Sequence, residues 1–465
     1  MHYISTRGGI EPIGFAQAVM MGLATDGGLL VPSQIPVLDP EQLRAWAGLR
    51  FQDLALEVST LFIGDEIPRA DLKALIERSY ANFSHPEVTP VVTVGKRRIL
   101  ELFHGPTAAF KDVALQWLGN LFEYLLEREG GILNILGATS GDTGSAAIYG
   151  VRGKGRIRIF ILHPKGRVSP IQERQMTTVL DSNVHNIAVR GTFDDAQAIV
   201  KTLFNDLAFK SAYRLGAVNS INWARILAQT FYYFYAWGRI SGGDVGRRVS
   251  FSVPTGNFGD VFAGYLARRM GLPIERLVIA TNRNDILSRF IHTGVYALGE
   301  EVYHTLSPAM DIQIASNFER YLYYLHDGDQ ALVCALLEDF RHTGRLRVSA
   351  ERHQKAQADF EATAVSDPET LDQIRATYEA TGYILCPHTA VGVRAARDLP
   401  EAICLATAHP AKFGAAVVQA IGQEAPLPPA LQGLLERKTR CVELEARAAA
   451  VKGYLEATLG TVSAP

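Results

Sequence analysis

The chain is organised around Glu101-Leu102-Phe103-His104-Gly105-Pro106-Thr107-Ala108-Ala109-Phe110-Lys111-Asp112. This stretch continues an apolar strand, turns at Gly105-Pro106 and enters a helix, whose first position suits proline because the N–H that proline lacks would be unpaired there. Lys111 is therefore predicted in or near the first turn of that helix. The positive end of the helix dipole disfavours a charged lysine at this place. The stretch favours a lysine that acts as a neutral amine and forms a Schiff base, with an ordinary solvated lysine as the alternative.

Length and composition indicate a soluble protein of several domains that binds a small molecule. The 465 residues suffice for roughly two to four domains with a well-formed core. A formal net charge of −2 offers no electrostatic surface for nucleic acid or for an anionic membrane. The most apolar stretches are too short to span a bilayer. We therefore expect a small-molecule substrate, and neither nucleic acid nor a membrane as a partner.

Cysteine usage and the N-terminus indicate the cytoplasm. Residues 1–9 lack the charged and then apolar pattern of a signal peptide. Sparse cysteines without metal-ligand spacing fit a reducing compartment, and they give no reason to expect a metal site. The four cysteines are Cys334, Cys386, Cys404 and Cys441.

Strands and helices alternate from about residue 96 onward, after a leader in which no catalytic constellation is visible. Short apolar runs that end in polar turns predict strands at 132–136, 156–162, 184–189, 249–253, 277–280 and 402–406. Strands that alternate with helices predict α/β layers with a mostly parallel sheet. Such sheets bind ligands at the carboxyl ends of their strands, where these polar turns lie.

The turn Gly137-Ala138-Thr139-Ser140-Gly141-Asp142-Thr143-Gly144 follows a predicted strand and opens a helix. Backbone N–H groups at such a helix start form an anion site. The turn lacks the Gly-Lys-Ser/Thr ending of a nucleoside-triphosphate loop, and it does not match the dinucleotide fingerprint. A purely structural turn would need the glycines but not three polar side chains. The pattern therefore favours a binding role over a structural one.

A second turn of this kind is Gly256-Asn257-Phe258-Gly259, again between a strand and a helix. Glycine at both ends allows the backbone to approach a phosphate closely, and asparagine tolerates left-handed geometry. Alone this signal is weak. Two turns of this kind together with a lysine at a helix start are a much stronger indication of a functional site.

Further polar positions allow a structural or a functional interpretation. Thr407, His409 and His104 lie at predicted strand ends, where a turn residue with satisfied hydrogen bonds is the ordinary explanation. Capping would explain one residue of Asn219-Ser220-Ile221-Asn222 but not the whole set, which Arg225 follows. Lys165, Arg167 and Ser169 follow a strand and predict a second anion-binding cluster or a solvated basic turn.

Taken together, these motifs resemble the threonine synthases, which are pyridoxal-phosphate enzymes of the tryptophan-synthase-β structural class. The resemblance extends from Phe15-Ala16-Gln17-Ala18 to beyond Phe413, and the leader looks like that of the branch found in many bacteria and fungi. The motifs that carry it are Leu102–Asp112, Ala138–Gly144, Gly256–Asp260 and Thr407-Ala408-His409-Pro410-Ala411-Lys412-Phe413.

The resemblance implies pyridoxal-phosphate fold type II, with two parallel-sheet α/β domains behind an N-terminal leader domain. The expected ranges are 1–95 for the leader, 96–245 for the smaller domain with Lys111, and 246–465 for the larger domain with the cofactor-phosphate loop.

The resemblance also implies roles for individual residues. Lys111 would carry pyridoxal 5'-phosphate and serve as catalytic acid and base. Thr407 would bond the pyridine nitrogen, and a hydroxyl there makes the ring a milder electron sink than a carboxylate would. The cofactor phosphate would be held by Gly256, Asn257, Phe258, Gly259 and Asp260. The substrate's α-carboxylate would be held by Ser140, Asp142 and Thr143, and its phosphate by Lys165, Ser169, Asn222 and Arg225.

The implied reaction converts O-phospho-L-homoserine and water to L-threonine and phosphate by γ-elimination and β-addition of water, the last step of threonine biosynthesis. Two alternatives stay open. One is another enzyme of the class, such as a threonine or serine dehydratase, although Asn257 and Phe258 interrupt the run of glycines that many members of the class use. The other is a non-catalytic sensor of a phospho-metabolite, which would have no use for Lys111. A monomer or a homodimer is expected.

Overall fold

The structure is a computed structural model that describes residues 1–460. Its strands are β1 (Tyr3–Ser5), β2 (Leu30–Pro32), β3 (Val91–Val94), β4 (Arg97–Glu101), β5 (Leu133–Ala138), β6 (Ile157–Pro164), β7 (Val184–Arg190), β8 (Leu215–Gly216), β9 (Val249–Pro254), β10 (Ile274–Thr281), β11 (Val295–Ala297), β12 (Arg345–Arg347), β13 (Glu361–Ala364), β14 (Ile403–Ala406) and β15 (Val442–Glu445).

The α-helices are α1 (Phe15–Met21), α2 (Pro40–Ala47), α3 (Phe51–Ile63), α4 (Arg69–Tyr80), α5 (Lys111–Glu129), α6 (Asp142–Val151), α7 (Pro170–Thr177), α8 (Phe193–Asn205), α9 (Leu207–Ala212), α10 (Trp223–Ser241), α11 (Gly259–Arg269), α12 (Ile286–Thr293), α13 (Phe318–Leu325), α14 (Gln330–Thr343), α15 (Ala350–Asp359), α16 (Asp367–Thr381), α17 (Pro387–Ala395), α18 (Gly414–Ile421) and α19 (Ala448–Leu459). Short 3₁₀ helices lie at Gly64–Glu66, Pro308–Met310, Pro410–Phe413, Pro429–Leu431 and Leu434–Glu436.

The first of two compact units comprises Met1–Gly105 and Ser220–Pro426. Its main sheet has the order β13-β10-β9-β14-β4-β3. The pairs are parallel except β3 with β4, which form an antiparallel edge. The long helix α10 is buried along most of its length, because its aromatic side chains pack against the N-terminal helices. Phe51 of α3, for example, contacts Phe231 and Tyr235.

The second unit comprises Pro106–Asn219 and the C-terminal segment from Leu427. Its sheet has the order β15-β7-β6-β5-β8, and each of its pairs is parallel. Apolar side chains of these strands, such as Leu136, Phe160 and Ile187, form a core with α8 and α19. Helices α5 and α6 approach so closely that a Cβ at Gly119 would lie 1.9 Å from the carbonyl oxygen of Gly150.

The mostly parallel sheet of the first unit and the parallel sheet of the second, each with alternating helices, confirm the predicted fold class. Strands occur at each of the six predicted places, and their ends differ from prediction by a few residues. The helix that carries Lys111 was predicted to begin near Pro106, which is wrong, because α5 begins at Lys111 itself. Ala108 has a φ of 55°, in the left-handed region, and this turn ends the extended chain before a helix can start.

The compact units divide the chain differently from the predicted ranges 1–95, 96–245 and 246–465. Strand pairing is the physical reason. Strand β4 pairs with β14 and therefore belongs to the first unit, whereas β15 pairs with β7 and draws the C-terminal segment into the second. The three ranges stay a prediction about the domains.

No helix in residues 1–460 is both long enough and apolar enough to cross a membrane. The four cysteines are free thiols, as their sparse spacing predicts. Within the same residues, no group of three or more His, Cys, Asp or Glu side chains is arranged to hold a metal ion.

Candidate active site

Lys111 is the first residue of α5, so its position at a helix start is confirmed. The turn before it is fixed by Asp112, whose carboxylate accepts hydrogen bonds from the backbone N–H of Thr107 at 2.8 Å and from its hydroxyl at 2.7 Å. The carbonyl of Thr107 accepts a further bond from Gln175 Nε2 at 2.8 Å. These buried bonds hold the strained turn at Ala108 and thereby fix where Lys111 begins the helix.

The Lys111 side chain lies close to a carboxylate that local sequence reasoning did not pair with it. Its Nζ is 3.5 Å from Asp142 Oδ2, and the two side chains are only 11% and 8% exposed. Phe110 adds a ring face whose centre is 4.9 Å from the same nitrogen. Because burial strengthens Coulomb attraction, Asp142 stabilises an ammonium here against the opposing helix dipole. The sequence predicted the dipole, and the fold adds the counter-ion.

The predicted turn at residues 137–144 follows β5 and opens α6, as expected. Thr139 shapes this turn, because its hydroxyl oxygen accepts hydrogen bonds from the N–H groups of Gly141 at 3.0 Å and Gly144 at 2.9 Å. A Cβ at Gly144 would lie 2.4 Å from the Thr139 methyl group, so that position excludes a larger residue. Gly141, the N-cap residue of α6, has no side chain to cap the helix, although Thr139 accepts the N–H of Gly144 in its first turn. The start of α6 is therefore a place where backbone N–H groups can bind an anion.

The other polar side chains of this turn differ in their surroundings. Ser140 is exposed and Thr143 is half-buried, so both hydroxyls are accessible. Asp142 is buried, and besides Lys111 its carboxylate bonds Gln172 Nε2 at 2.7 Å. A carboxylate with these partners repels a second carboxylate. Recognition of the substrate's α-carboxylate by Asp142 stays a prediction, and the hydroxyls and N–H groups of the turn are better suited to that role.

The second predicted turn lies between β9 and α11 in the other unit. Phe258 has a φ of 65° and directs its ring into an aromatic cluster with Phe318, Tyr321 and Phe360. Asn257, by contrast, is exposed. No side chain of the described residues caps α11, so its first N–H groups are suited to an anion.

Neighbouring segments fix this loop. A Cβ at Gly256 would lie 2.6 Å from the Ala309 carbonyl oxygen, which explains glycine there. Asn317 Nδ2 donates to the carbonyls of Asn257 and Ser220, both at 3.1 Å. Asn317 thereby ties the loop to the segment that leads into α10.

Asp260 lies in the first turn of α11 and is buried. Its carboxylate accepts hydrogen bonds from the hydroxyls of Tyr232 at 2.6 Å and Tyr233 at 3.0 Å. Burial, together with the neighbouring charge of Asp260, raises the pKa of both tyrosines well above its usual value. Both therefore stay protonated and donate. These bonds join α11 to α10 behind the loop.

Thr407 directly follows β14, which is the neighbour of β9 in the sheet. Thr407 and the loop after β9 therefore lie at the carboxyl ends of adjacent parallel strands. Thr407 is buried, and its hydroxyl makes no hydrogen bond to another residue of the described chain. Nearby, burial lowers the pKa of His409 to about 4, and His104 Nε2 contacts Glu101 at 2.8 Å.

The candidates for the substrate phosphate lie in different surroundings. Asn222 is the N-cap of α10 and also donates to the carbonyl of Val19 at 2.8 Å, so both ends of its amide have a partner in the fold. Arg225 is buried in the first turn of α10, and within residues 1–460 its Nε and Nη1 have no hydrogen-bond partner. A buried guanidinium in this state is poised for an anion.

The two candidates in the other unit have partners there. Lys165 is exposed and forms an ion pair with Glu443 at 2.7 Å. Ser169 caps α7 and bonds the side chain of Gln172 at 2.9 Å. The roles of both in phosphate binding stay predictions.

Sequence reasoning missed Thr139, Gln172 and Asn317 as residues that shape the site. Thr139 lies within the motif at residues 137–144, but the hydrogen bonds of its hydroxyl depend on the backbone conformation of the turn. Gln172 and Asn317 stand in helical or polar stretches without a local pattern, because their partners are distant in sequence. The roles of Gln172 and Asn317 can be recognised only from the tertiary structure.

Comparisons with known proteins agree with this geometry. The profile of the family described as "Pyridoxal-phosphate dependent enzyme" matches residues 99–407. The fold and the site thus define a pyridoxal-phosphate-dependent enzyme of fold type II. Two further profiles, "Threonine synthase N terminus" and "Threonine synthase, C-terminal", match residues 2–80 and 389–455. The chain belongs to the threonine synthase family.

Similar proteins cover nearly the whole chain. The threonine synthase of Pseudomonas aeruginosa is 48% identical over 98% of both chains, and that of Saccharomyces cerevisiae is 51% identical over 90% of this chain and 89% of its own. The pyridoxal-phosphate-bound threonine synthase structure from Brucella melitensis is 47% identical, has a TM-score of 0.95 and covers 98% of this chain and 99% of its own. The yeast structure has a TM-score of 0.94 at 48% identity, with 98% of both chains covered.

The residues present fit pyridoxal 5'-phosphate, which is the cofactor of this family. Lys111 offers a buried amine at a helix start. The start of α11 offers uncapped N–H groups for a phosphate, as described above. Thr407 offers a hydroxyl at a strand end, without a competing partner in residues 1–460. Amine, anion site and hydroxyl are the donor set that this cofactor requires.

Proposed function

We propose that this enzyme converts O-phospho-L-homoserine and water to L-threonine and phosphate. The observation that carries the proposal is the buried Lys111 beside Asp142, on a chain that resembles named threonine synthases over 98% of its length. Such a lysine has a catalytic explanation, whereas a structural lysine would seldom be buried at a helix start. The reaction would be the last step of threonine biosynthesis.

Pyridoxal phosphate supplies, when bound, an electron sink for charge that develops beside the substrate's α-carbon. Lys111 Nζ, as a neutral amine, would take the α-proton and a β-proton in successive steps, and it would return one proton to the γ-carbon and one to the α-carbon. Asp142, held 3.5 Å away, would stabilise the ammonium that Lys111 becomes after each proton transfer. Phosphate leaves from the γ-carbon, and water adds at the β-carbon.

For the cofactor, we propose that the N–H groups of Gly256, Asn257, Phe258, Gly259 and Asp260 hold its phosphate. The uncapped start of α11 supports this assignment. The carboxylate of Asp260 would act indirectly, because its tyrosine partners anchor the loop from behind. Thr407 would hold the ring nitrogen through its hydroxyl.

For the substrate, we propose that Ser140 and Thr143 hold the α-carboxylate together with the N–H groups at the start of α6. Arg225 is the strongest candidate for the substrate phosphate, since its guanidinium is buried and two of its nitrogens have no partner in the described chain. Asn222 supports Arg225 by capping the same helix. Lys165 and Ser169 would contribute only by exchanging their present partners.

Replacing Lys111 with Ala tests the function. Turnover should fall by about 10³-fold or more, because nucleophile and acid–base catalyst are lost together. Purified wild-type protein should show visible absorbance that borohydride bleaches, with the label on Lys111. The exposed Lys201 provides the control, and Lys201→Ala should keep both activity and colour. Normal turnover of Lys111→Ala would contradict the proposal.

Product analysis separates this function from a dehydratase. The proposed reaction releases phosphate and forms threonine from O-phosphohomoserine. A dehydratase would release ammonia and a 2-oxo acid from free threonine or serine. The family comparisons favour the first outcome, because their named members are threonine synthases.

We also propose that the enzyme acts in the cytoplasm and that it is a monomer or a homodimer. The free cysteines support a reducing compartment. Light scattering on the purified protein would decide between the two oligomeric states.

A further inference from the structure

We propose that Gln172 is a positioning residue, which holds the carboxylate of Asp142 in the orientation that places its second oxygen on Lys111. This inference rests on the proposed role of Lys111 as the cofactor-bearing amine. It concerns a side chain that makes no contact with the lysine itself but acts through Asp142.

The chain of contacts runs through three buried side chains of one compact unit. Gln172 Nε2 donates to Asp142 Oδ1 at 2.7 Å, and Asp142 Oδ2 lies 3.5 Å from Lys111 Nζ. Each carboxylate oxygen thus has a separate partner. Since a carboxylate can rotate about its last bond, a donor on Oδ1 fixes the direction in which Oδ2 points.

The orientation of the Gln172 amide is itself determined. An ionised Asp142 only accepts hydrogen bonds, so the NH₂ group must face it and the amide oxygen must point away. That oxygen accepts the hydroxyl of Ser169 at 2.9 Å, and the Ser169 oxygen in turn accepts the backbone N–H of Gln172 at 3.3 Å. Ser169 therefore gives the amide oxygen a donor, while the amide nitrogen donates to Asp142.

The turn before α6 is shaped around this amide. Gly141 has a φ of 145°, and a Cβ built there would lie 2.6 Å from Cδ of Gln172. The three nearest atoms to that Cβ all belong to the Gln172 amide. Glycine at position 141 is thus required by the approach of this side chain as well as by its backbone conformation.

The charge of the residue at position 172 decides what it does to Lys111. A neutral amide orients Asp142 without adding charge, so a single carboxylate faces the ammonium. Methionine has a similar length but no donor, and it would remove the hydrogen bond that directs the second oxygen of Asp142 toward the lysine. Glutamate keeps the shape and would add negative charge, or share a proton with Asp142.

The test measures the reactivity of Lys111 in cofactor-free protein, because only the neutral amine reacts. Formaldehyde and cyanoborohydride at neutral pH methylate amines, and mass mapping gives the initial rate at Lys111, with the exposed Lys201 as an internal standard. In Gln172→Met the Lys111 rate should rise by about three- to tenfold, since a tenfold change corresponds to one unit in the protonation equilibrium. In Gln172→Glu the rate should equal that of wild type or fall below it.

Gln116→Met is the matched control, since Gln116 is a buried glutamine on the same helix as Lys111. Its Nε2 has no hydrogen-bond partner within residues 1–460, so its removal should leave the Lys111 rate unchanged. If Gln172→Met does not fold, as judged by circular dichroism, Gln172→Leu takes its place. A folded apolar variant whose rate stays within twofold of wild type would overturn the inference. An equal rise of the Lys111 rate in Gln172→Glu would also overturn it, because that result would indicate that any substitution at position 172 loosens the packing around Lys111.

The experiment uses neither substrate nor cofactor, so its result does not depend on the reaction. If the enzyme fails to act on O-phosphohomoserine but the two variants differ as expected, the proposed substrate is wrong and the role of Gln172 stands. If turnover is as proposed and the variants do not differ, only the role of Gln172 is wrong.

Discussion

Two arginines of the same compact unit, Arg225 and Arg320, are both buried, yet their hydrogen bonding differs completely. Arg320 donates from Nε and Nη2 to the carbonyl of Leu30 at 3.0 and 2.9 Å, from Nη2 to the carbonyl of Ile221 at 2.6 Å, and from Nη1 to Asn317 Oδ1. Within residues 1–460, Nε and Nη1 of Arg225 have no such partner. Burial lowers the pKa of Arg320 to about 9 and that of Arg225 to about 10.

The difference separates a structural charge, Arg320, from Arg225, the charge that we propose binds the substrate phosphate. A buried cation whose donors are satisfied by carbonyls joins parts of the fold, here β2 with α13 and the approach to α10. A buried cation that lacks partners destabilises the protein unless an anion arrives. Hydrogen bonding, and not burial or charge, therefore distinguishes Arg225, the proposed binding residue, from Arg320.

The largest effect on stability is expected from Arg320→Met. The change leaves the carbonyls of Leu30 and Ile221 and the amide of Asn317 without their donors, at about 1–3 kcal/mol for each group. We expect the free energy of unfolding to fall by about 3–5 kcal/mol, measured by urea denaturation. Because Arg320 also holds Asn317, which fixes the loop before α11, activity per folded molecule should fall, but by less than about tenfold.

The exposed Arg345 provides the control for this measurement, and Arg345→Met should change the free energy of unfolding by less than about 0.5 kcal/mol. A stable Arg320→Met variant would show that the carbonyl contacts contribute little.

A smaller effect, on activity and not on stability, is expected from Arg225→Met. Loss of charge-assisted hydrogen bonds to the substrate phosphate should lower kcat/KM by about ten- to a hundredfold, mainly through KM. The free energy of unfolding should stay the same or rise, because an unpaired buried charge is removed. Steady-state kinetics and urea denaturation measure the two quantities on one preparation.

Inorganic phosphate sharpens this test. It should raise the melting temperature of the wild-type holoenzyme more than that of Arg225→Met, since a ligand stabilises only the state that binds it. If Arg225→Met lowers the free energy of unfolding and leaves KM unchanged, Arg225 is a structural residue like Arg320, and the proposed difference between the two arginines is wrong.

The smallest effect concerns His409, a half-buried side chain that stays neutral in the folded protein. Burial is the main reason why the pKa of His409 falls from 6.5 to about 4. The nearby His104 and Lys412 also lower this pKa, whereas Glu101 raises it. The unfolded chain takes up a proton at about pH 6.5, and the folded chain only near pH 4, so stability is lost as the pH falls through this window.

Between pH 6.5 and 4, the titration of His409 should lower the free energy of unfolding of the wild type by about 2–3 kcal/mol. His409→Gln should show a shallower fall, because glutamine does not titrate but can still accept the N–H of Ala411. Urea denaturation at several pH values measures the two slopes. Parallel curves for both proteins would exclude His409 as the source of the acid sensitivity.

Sequence reasoning predicted the parts of the site that depend on local chemistry. The strand ends, the two polar turns and the helix start at Lys111 follow from short apolar runs, glycines and turn residues. The helix was placed too early because Pro106 is a good first residue, whereas the left-handed Ala108 delays the helix by several residues. Arg225 was nominated by the resemblance, but only the structure shows that its donors lack partners.

The amino-acid sequence by itself determined the class of fold and the family, and it singled out Lys111 as the lysine proposed to carry the chemistry, because these depend on motifs whose residues are close together in the chain. Tertiary structure alone decided which groups surround them. Asp142 reaches Lys111, Gln172 reaches Asp142, and Arg320 reaches Leu30 across long stretches of sequence. Such contacts depend on the packing of helices and the pairing of strands, and a short pattern contains no record of them. The charge of a buried group is set by these distant partners, and so is its function.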